Sequence, residues 1–290
     1  TKPALPLSSV GKQTSKVLLL IFLLTVILLP ILINSGQVVL NPIEVAQQVT
    51  VVIALLFFMY FVGLFIFGAL SLSERKAFGA ILLICIASIL FWAGFEQAGS
   101  SLNLFTRDFT NRLIANFEIP IAWFQSINSI FIIVLSPFFA SLWINLGKRL
   151  TQPYFGLKCA AGLLIMALGF IVMFFAAQFA ASGLKVAPSW LITTYFLHTV
   201  GELCMSPVAL SAISKLSPKR FTGQMMGLFT LTYSIGSLLA GLIAGKFNPE
   251  NVQEMPLLFL QIGTYSLIAG LIVGFCSLLV RQWESVQIEK

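Results

Sequence analysis

The 290-residue chain is 58% hydrophobic and only 9% charged, where a soluble domain carries roughly 25% charged residues, so most of its surface must meet lipid rather than water. Its net charge of +7 comes from 17 Lys and Arg against 10 Asp and Glu, but the bases are spread over many short segments, which argues against a nucleic-acid partner. Cys85, Cys159, Cys204 and Cys276 stand far apart in apolar stretches with no CxxC and no companion histidine, so they read as small core residues, with neither a disulfide framework nor a metal site and no cofactor indicated.

A hydrocarbon core of about 30 Å takes roughly 20 apolar residues of helix. Eight runs of about this length predict an all-α integral membrane protein with eight transmembrane helices, at 17–33, 49–70, 77–99, 119–145, 157–180, 189–213, 221–245 and 256–280. A β-barrel would need short alternating segments instead. The first run follows Lys12 and Lys16 like a signal peptide, but no small-residue cleavage site comes after it, and Asn34, Ser35 and Gly36 read as a turn, so it is expected to be retained. Gly63 and Gly68 in the second run, and Gly241 and Gly245 in the seventh, suggest close helix approach. The connection at 100–118 is the longest and is able to continue the third helix beyond the lipid. Pro30, Pro137 and Pro207 fall inside apolar runs and predict kinks.

With a cytoplasmic N-terminus, 13 of the 17 basic residues fall on the cytoplasmic side; only Arg107, Arg112, Lys185 and Lys246 lie opposite. The positive-inside rule thus predicts a multi-pass protein of the inner (plasma) membrane with both termini cytoplasmic.

Ionisable groups inside a membrane cost several kcal/mol unless they face a cavity or a partner. Of the ten carboxylates only Glu96 and Glu202 lie within apolar helices. Either holds two helices together or serves a site. His198, Glu202 and Ser206 are spaced i, i+4, i+8 and share a polar stripe on the sixth span; Pro207 after it frees the carbonyl of Leu203, leaving an acceptor beside the carboxylate that suits a cationic substrate group. His198 reads either as a histidine satisfied by neighbours at the membrane edge or as a proton relay. Around Glu96, Trp92, Gln97 and Ser100 offer an aromatic wall, an amide and a hydroxyl, and a carboxyl group withdrawn from water favours the neutral form that a proton carrier requires. Its depth depends on whether the third helix runs on through Phe105. In the fourth span, Gln125, Ser126, Asn128 and Ser129 form a polar cluster, in which Asn128 either binds an amide or pins a neighbouring helix.

The stretch Phe91-Trp92-Ala93-Gly94-Phe95-Glu96-Gln97-Ala98-Gly99-Ser100-Ser101-Leu102-Asn103 resembles the seventh-helix motif of the proton-dependent oligopeptide transporters. Gly201-Glu202-Leu203-Cys204-Met205-Ser206-Pro207-Val208-Ala209-Leu210-Ser211, followed by Lys215-Leu216-Ser217-Pro218, is similar to the GELxxSPxGLS and KLxP pattern of the same family's tenth helix. The family belongs to the major facilitator superfamily, built from two six-helix halves with an inserted helix pair between them in bacterial members. The resemblance implies that residues 1–76 are that inserted pair and 77–290 the C-terminal six-helix half of the fold.

By that resemblance Glu96 is the proton-coupling carboxylate, Glu202 meets the peptide amino terminus and Asn128 lies near the substrate backbone. Trp92, Ser206 and Phe229 line the pocket. The implied partners are di- and tripeptides, protons and the lipid bilayer. Ala209 departs from the family's glycine. The resemblance also implies that the N-terminal six helices are missing from this chain, and with them an ExxER motif and the bases that pair with Glu96 and Glu202: a truncation, one piece of a split transporter, or an interrupted reading frame. The rival readings are a remnant that no longer transports, or an intramembrane enzyme using His198 and Glu202 as an acid–base pair.

Overall fold

The computed structural model describes Leu24, Leu28, Ser35, Gly36 and residues 41–149, 155–245 and 252–285. The chain divides into two compact units, Thr1–Val45 and Ala46–Lys290, and the second carries everything below except the first residues of α1. Among the described residues seven helices are long and apolar enough to cross a membrane, and together they form an all-α multi-pass bundle. Of the run predicted at 17–33 only Leu24 and Leu28, both helical, are described, and the rest of it lies outside the described residues.

Helix α1 (Pro42–Phe67) opens with proline at its first position, where no amide donor is needed, and Asn41 Oδ1 accepts from the Ile43 amide at 3.1 Å. It stops at Gly68 and Ala69, whose φ of 46° is left-handed; the turn is held by Arg220 Nη2, which donates to the Ala69 carbonyl at 3.0 Å. Ser71 and Glu74 then form a capping box that satisfies two amides at the start of α2 (Leu72–Phe95).

Helix α2 does not end the span. A 3-10 turn, Glu96–Gly99, leads into α3 (Ser101–Phe109), so one apolar segment runs from Leu72 to Phe109. Gly99 followed by two serines is the kind of sequence at which helices bend. Gln97 holds the bend: its amide nitrogen donates to the carbonyls of Ala93 at 3.2 Å and of Ala240 at 3.1 Å, and its oxygen accepts from Ser101 and Ser100. After α3 a short hairpin pairs β1 (Leu113–Ile114) with β2 (Phe117–Glu118) across Ala115 and Asn116, both at positive φ, the twist that two-residue hairpins require. Arg112 and Glu118 close it with an ion pair at 2.6 Å. No hairpin is legible in the sequence, because Ala-Asn is not a favoured turn pair and each strand is only two residues long.

Helices α4 (Ile121–Arg149), α5 (Phe155–Ala181), α6 (Ser189–Leu216), α7 (Thr222–Ala244) and α8 (Met255–Ser285) complete the bundle. Helix α5 packs on α6 and α8, α2 packs on α7 and α8, and α4 packs mainly on α6 with most of its length uncovered. The predicted small-residue contacts are placed differently from expectation. A Cβ on Gly68 would meet the Phe221 ring at 3.4 Å, but one on Gly63 or Gly241 would meet nothing within 4 Å and one on Gly245 only carbonyls of its own segment. Close approach occurs instead at Gly162 and Gly201, where each Cβ would lie 2.8 Å from the other's carbonyl oxygen, bringing α5 against α6. Period-based reading cannot tell which glycine of an apolar helix faces protein, because lipid is as apolar as leucine. Cys85, Cys159 and Cys204 are buried and all four cysteines are free.

Candidate functional site

Glu202 lies midway along the 28-residue α6, half-buried on the side that faces α4. Asn128 Nδ2 donates to its Oε2 at 3.4 Å, and Thr199 Oγ1 donates to Asn128 Oδ1 at 2.8 Å. The amide therefore has one orientation that satisfies both neighbours, its NH₂ toward the carboxylate. Thr199, one turn before Glu202, carries no sequence signal, as threonines in apolar helices commonly back-bond, and its single hydroxyl proton is shared between Asn128 Oδ1 and the Tyr195 carbonyl at 2.7 Å.

Glu96 begins the 3-10 turn, half-buried, and lies within electrostatic range of Glu202. The apolar span continues through Phe105, as one of the two alternatives required. Ser100, expected beside Glu96 on one face, instead donates to the Glu96 carbonyl at 3.3 Å and serves the bend.

The stripe His198, Glu202, Ser206 separates because each i+4 step rotates by about 40° around a helix of 3.6 residues per turn. His198 is buried against α5, its ring centroid 4.7 Å from Phe170, where Gly169 leaves room: a Cβ there would lie 2.5 Å from His198 Cδ2. It is enclosed by the bundle rather than left at its surface. Glu202 and Ser206 turn the other way into a cavity of about 310 Å³ lined by Ile132, Glu202, Ser206, Pro207, Leu210 and Tyr233. The carbonyl of Leu203, expected to be free beside Pro207, accepts from Trp143 Nε1 at 3.4 Å, so the vacancy left by proline is filled by an indole on α4.

Tyr233 is the residue that joins the two carboxylates' surroundings. Its ring lies 4.3 Å from that of Trp92 and 5.5 Å, edge-on, from that of Phe229. Trp92 is buried, with Phe91 and Phe95 edge-on to it, and Gly236 admits it: a Cβ at Gly236 would lie 2.5 Å from Trp92 Cβ. Phe229 is buried behind Tyr233 and reaches the cavity only through it. Tyr233 had a legible signal, an i+4 aromatic following Phe229 on the same face. Among the described residues no group of His, Cys, Asp and Glu is arranged to hold a metal.

The POT family model matches residues 6–258. The chain belongs to the POT family. It is 40% identical over 236 residues, 81% of its length, to the peptide transporter YePEPT of Yersinia enterocolitica, of which it covers 46%. To dipeptide and tripeptide permease A of Escherichia coli it is 30% identical over 260 residues, 87% of this chain and 51% of that protein. A crystal structure of the peptide transporter POT in complex with sulfate superposes with a TM-score of 0.83 at 32% identity, over 96% of this chain and 55% of that one. A POT family transporter in complex with 5-aminolevulinic acid superposes with a TM-score of 0.81 at 25% identity, over 96% of this chain and 57% of that one. The chain thus spans about half the length of the relatives it matches. POT relatives are transporters, and the enzyme reading of His198 with Glu202 falls away; the two side chains also face different helices.

Proposed function

We propose that this chain is the C-terminal part of a proton-coupled di- and tripeptide symporter. In this reading residues 1–76 are an inserted helix pair, the first helix being the run at 17–33, and 77–290 are the six-helix half; both termini are cytoplasmic and the membrane is the inner (plasma) membrane. The observation that supports it is Glu202, midway along α6, in the wall of one cavity with Asn128 donating to its carboxylate at 3.4 Å and Glu96 within electrostatic range. Glu202 anchors the substrate amine, with Asn128 holding the carboxylate by its amide and turning to the peptide backbone when substrate arrives. Trp92, Ser206 and Phe229 shape the pocket, Phe229 by backing Tyr233.

Glu96 takes up the coupling proton. Neutralised, it releases a base on the N-terminal half, and this half then rocks against that one. A proton crossing 100 mV gains about 2.3 kcal/mol, close to a 50-fold concentration ratio before any pH gradient is counted. The site is completed by bases on six further helices, whether these precede on the same polypeptide or belong to a second one.

The test separates binding from coupling. In the complete transporter, Glu96→Gln should retain exchange of labelled for unlabelled dipeptide across a vesicle membrane and lose accumulation driven by a proton gradient. Accumulation at the unsubstituted level in the variant would remove Glu96 from the coupling role.

A further inference from the structure

Where α1 ends and α2 begins, two cavities follow one another along the first three turns of α7. The first, about 880 Å³, is polar, with Ser71, Lys215, Ser217, Lys219, Arg220 and Thr222 in its wall. The second, about 590 Å³, is an apolar groove between Leu56, Met59 and Tyr60 of α1 and Gly227, Leu228 and Leu231 of α7. Leu56, Met59 and Tyr60 are spaced i, i+3, i+4, and with Gln224 at the polar end the α7 set Gln224, Gly227, Leu228 and Leu231 runs i, i+3, i+4, i+7, so each set lines the groove with one helix face.

The polar cavity carries excess positive charge. Its one acid, Glu74, is engaged by Arg220 Nη2 at 3.1 Å and by the Ser71 amide at 2.7 Å. Among the described residues no carboxylate lies within ion-pair distance of Lys215 or Lys219. The N-terminus of α7 also opens here, with no side-chain acceptor on its first amides, which adds the positive end of a helix to two unneutralised ammonium groups. Beyond it, Leu56 and Met59 are 57% and 69% exposed, and α1 reaches the bundle through the buried Phe57 and Phe61, the latter 5.5 Å from Phe78.

We propose that this pair of cavities seats one anionic phospholipid, its phosphate among Lys215, Lys219 and the first turn of α7 and one acyl chain in the groove between α1 and α7. A basic pocket at a helix-end interface directly continued by an apolar groove matches the two halves of such a molecule and of no water-soluble anion. A zwitterionic lipid would bring its own ammonium against the two lysines, so charge selects the anionic class. The bound lipid fills the wedge beside α1 and fastens that helix to the bundle.

Native mass spectrometry of the purified chain, titrated with phosphatidylglycerol and with phosphatidylcholine of the same acyl chains, tests this. Phosphatidylglycerol should bind more tightly, and Lys215→Gln with Lys219→Gln should weaken it about 30-fold, from about fivefold per basic group near an anionic headgroup. Lys219→Gln alone, an exposed change that leaves the fold intact, should cost about fivefold. Lys148→Gln with Lys185→Gln, equally exposed elsewhere, should cost less than twofold. Gly227→Leu, whose Cβ meets nothing within 4 Å, should fill the groove and weaken the long-chain lipid while sparing a dihexanoyl analogue. Equal losses from the two lysine pairs would mean general attraction to a basic protein and would overturn the site. Competition by glycerol 3-phosphate at concentrations matching the lipid, or indifference to Gly227→Leu, would overturn the lipid in favour of a small anion.

Discussion

Gly236→Ala offers a direct reading of how tightly α2 and α7 are joined beneath the site. The added Cβ would lie 2.5 Å from Trp92 Cβ, 3.1 Å from the Ile89 carbonyl oxygen and 3.2 Å from the Ala93 amide nitrogen. Ordinary carbon contacts are about 3.5–4.0 Å, and no rotamer moves a backbone atom or a Cβ. The two helices must therefore part by about 1 Å, an overpacking that costs about 1–3 kcal/mol. Gly241→Ala on the same helix meets nothing within 4 Å and supplies the reference, since both substitutions gain the same helix propensity of up to about 1 kcal/mol. The difference between the two variants is then the overpacking itself. Reversible unfolding in mixed micelles of mild detergent and dodecyl sulfate, followed by helical circular dichroism, should place Gly236→Ala about 1–3 kcal/mol below Gly241→Ala. Coincident curves would mean that α2 and α7 do not approach as described, and the Trp92–Tyr233 wall would lose its basis.

Three further outcomes follow from named contacts. Trp143→Phe removes the donor that serves the Leu203 carbonyl and should lower stability by about 1–2 kcal/mol in the same unfolding assay, the cost of a buried unpaired acceptor. Gln97→Leu strips the bend after α2 of its ties to Ala240 and Ser101 and should cost about 1–3 kcal/mol, and Gln97→Glu should be no milder, because it sets a buried carboxylate oxygen against the Ala93 and Ala240 carbonyls. In the complete transporter Glu202→Gln should weaken a dipeptide with a free amine about 10- to 100-fold, the loss of a hydrogen bond to a charged group, and leave an N-acetylated dipeptide unchanged; competition against a labelled substrate distinguishes the two.

Seven of the eight expected spans were legible among the described residues because lipid demands long apolar helices, and the two glutamates stood out as charge in an apolar setting. Partners across helices were not. The motif around Glu202 names that residue, but only packing reveals that Thr199 orients Asn128 toward it or that Trp143 fills the place vacated at Pro207. His198 and Ser206 shared a stripe with Glu202 on paper, yet rotation along α6 sends the histidine to Gly169 on α5 and the serine to Tyr233 on α7. The continuation of α2 into α3 is readable as an alternative; its anchor, the buried Gln97, stands out in the sequence only as a neighbour of Glu96. The paired cavities beside α1 have no sequence signature, because their lysines and leucines are each ordinary in a membrane protein.

The central claim, that this chain supplies one half of a peptide–proton symport site, is tested most directly by uptake of a labelled dipeptide into proteoliposomes under an inward proton gradient. The chain would be reconstituted alone, with an N-terminal six-helix partner carrying ExxER, and with that partner plus Glu96→Gln. The account predicts accumulation only with the partner present and its loss on substitution. No accumulation with a folded, co-reconstituted partner, or accumulation indifferent to Glu96, would contradict it.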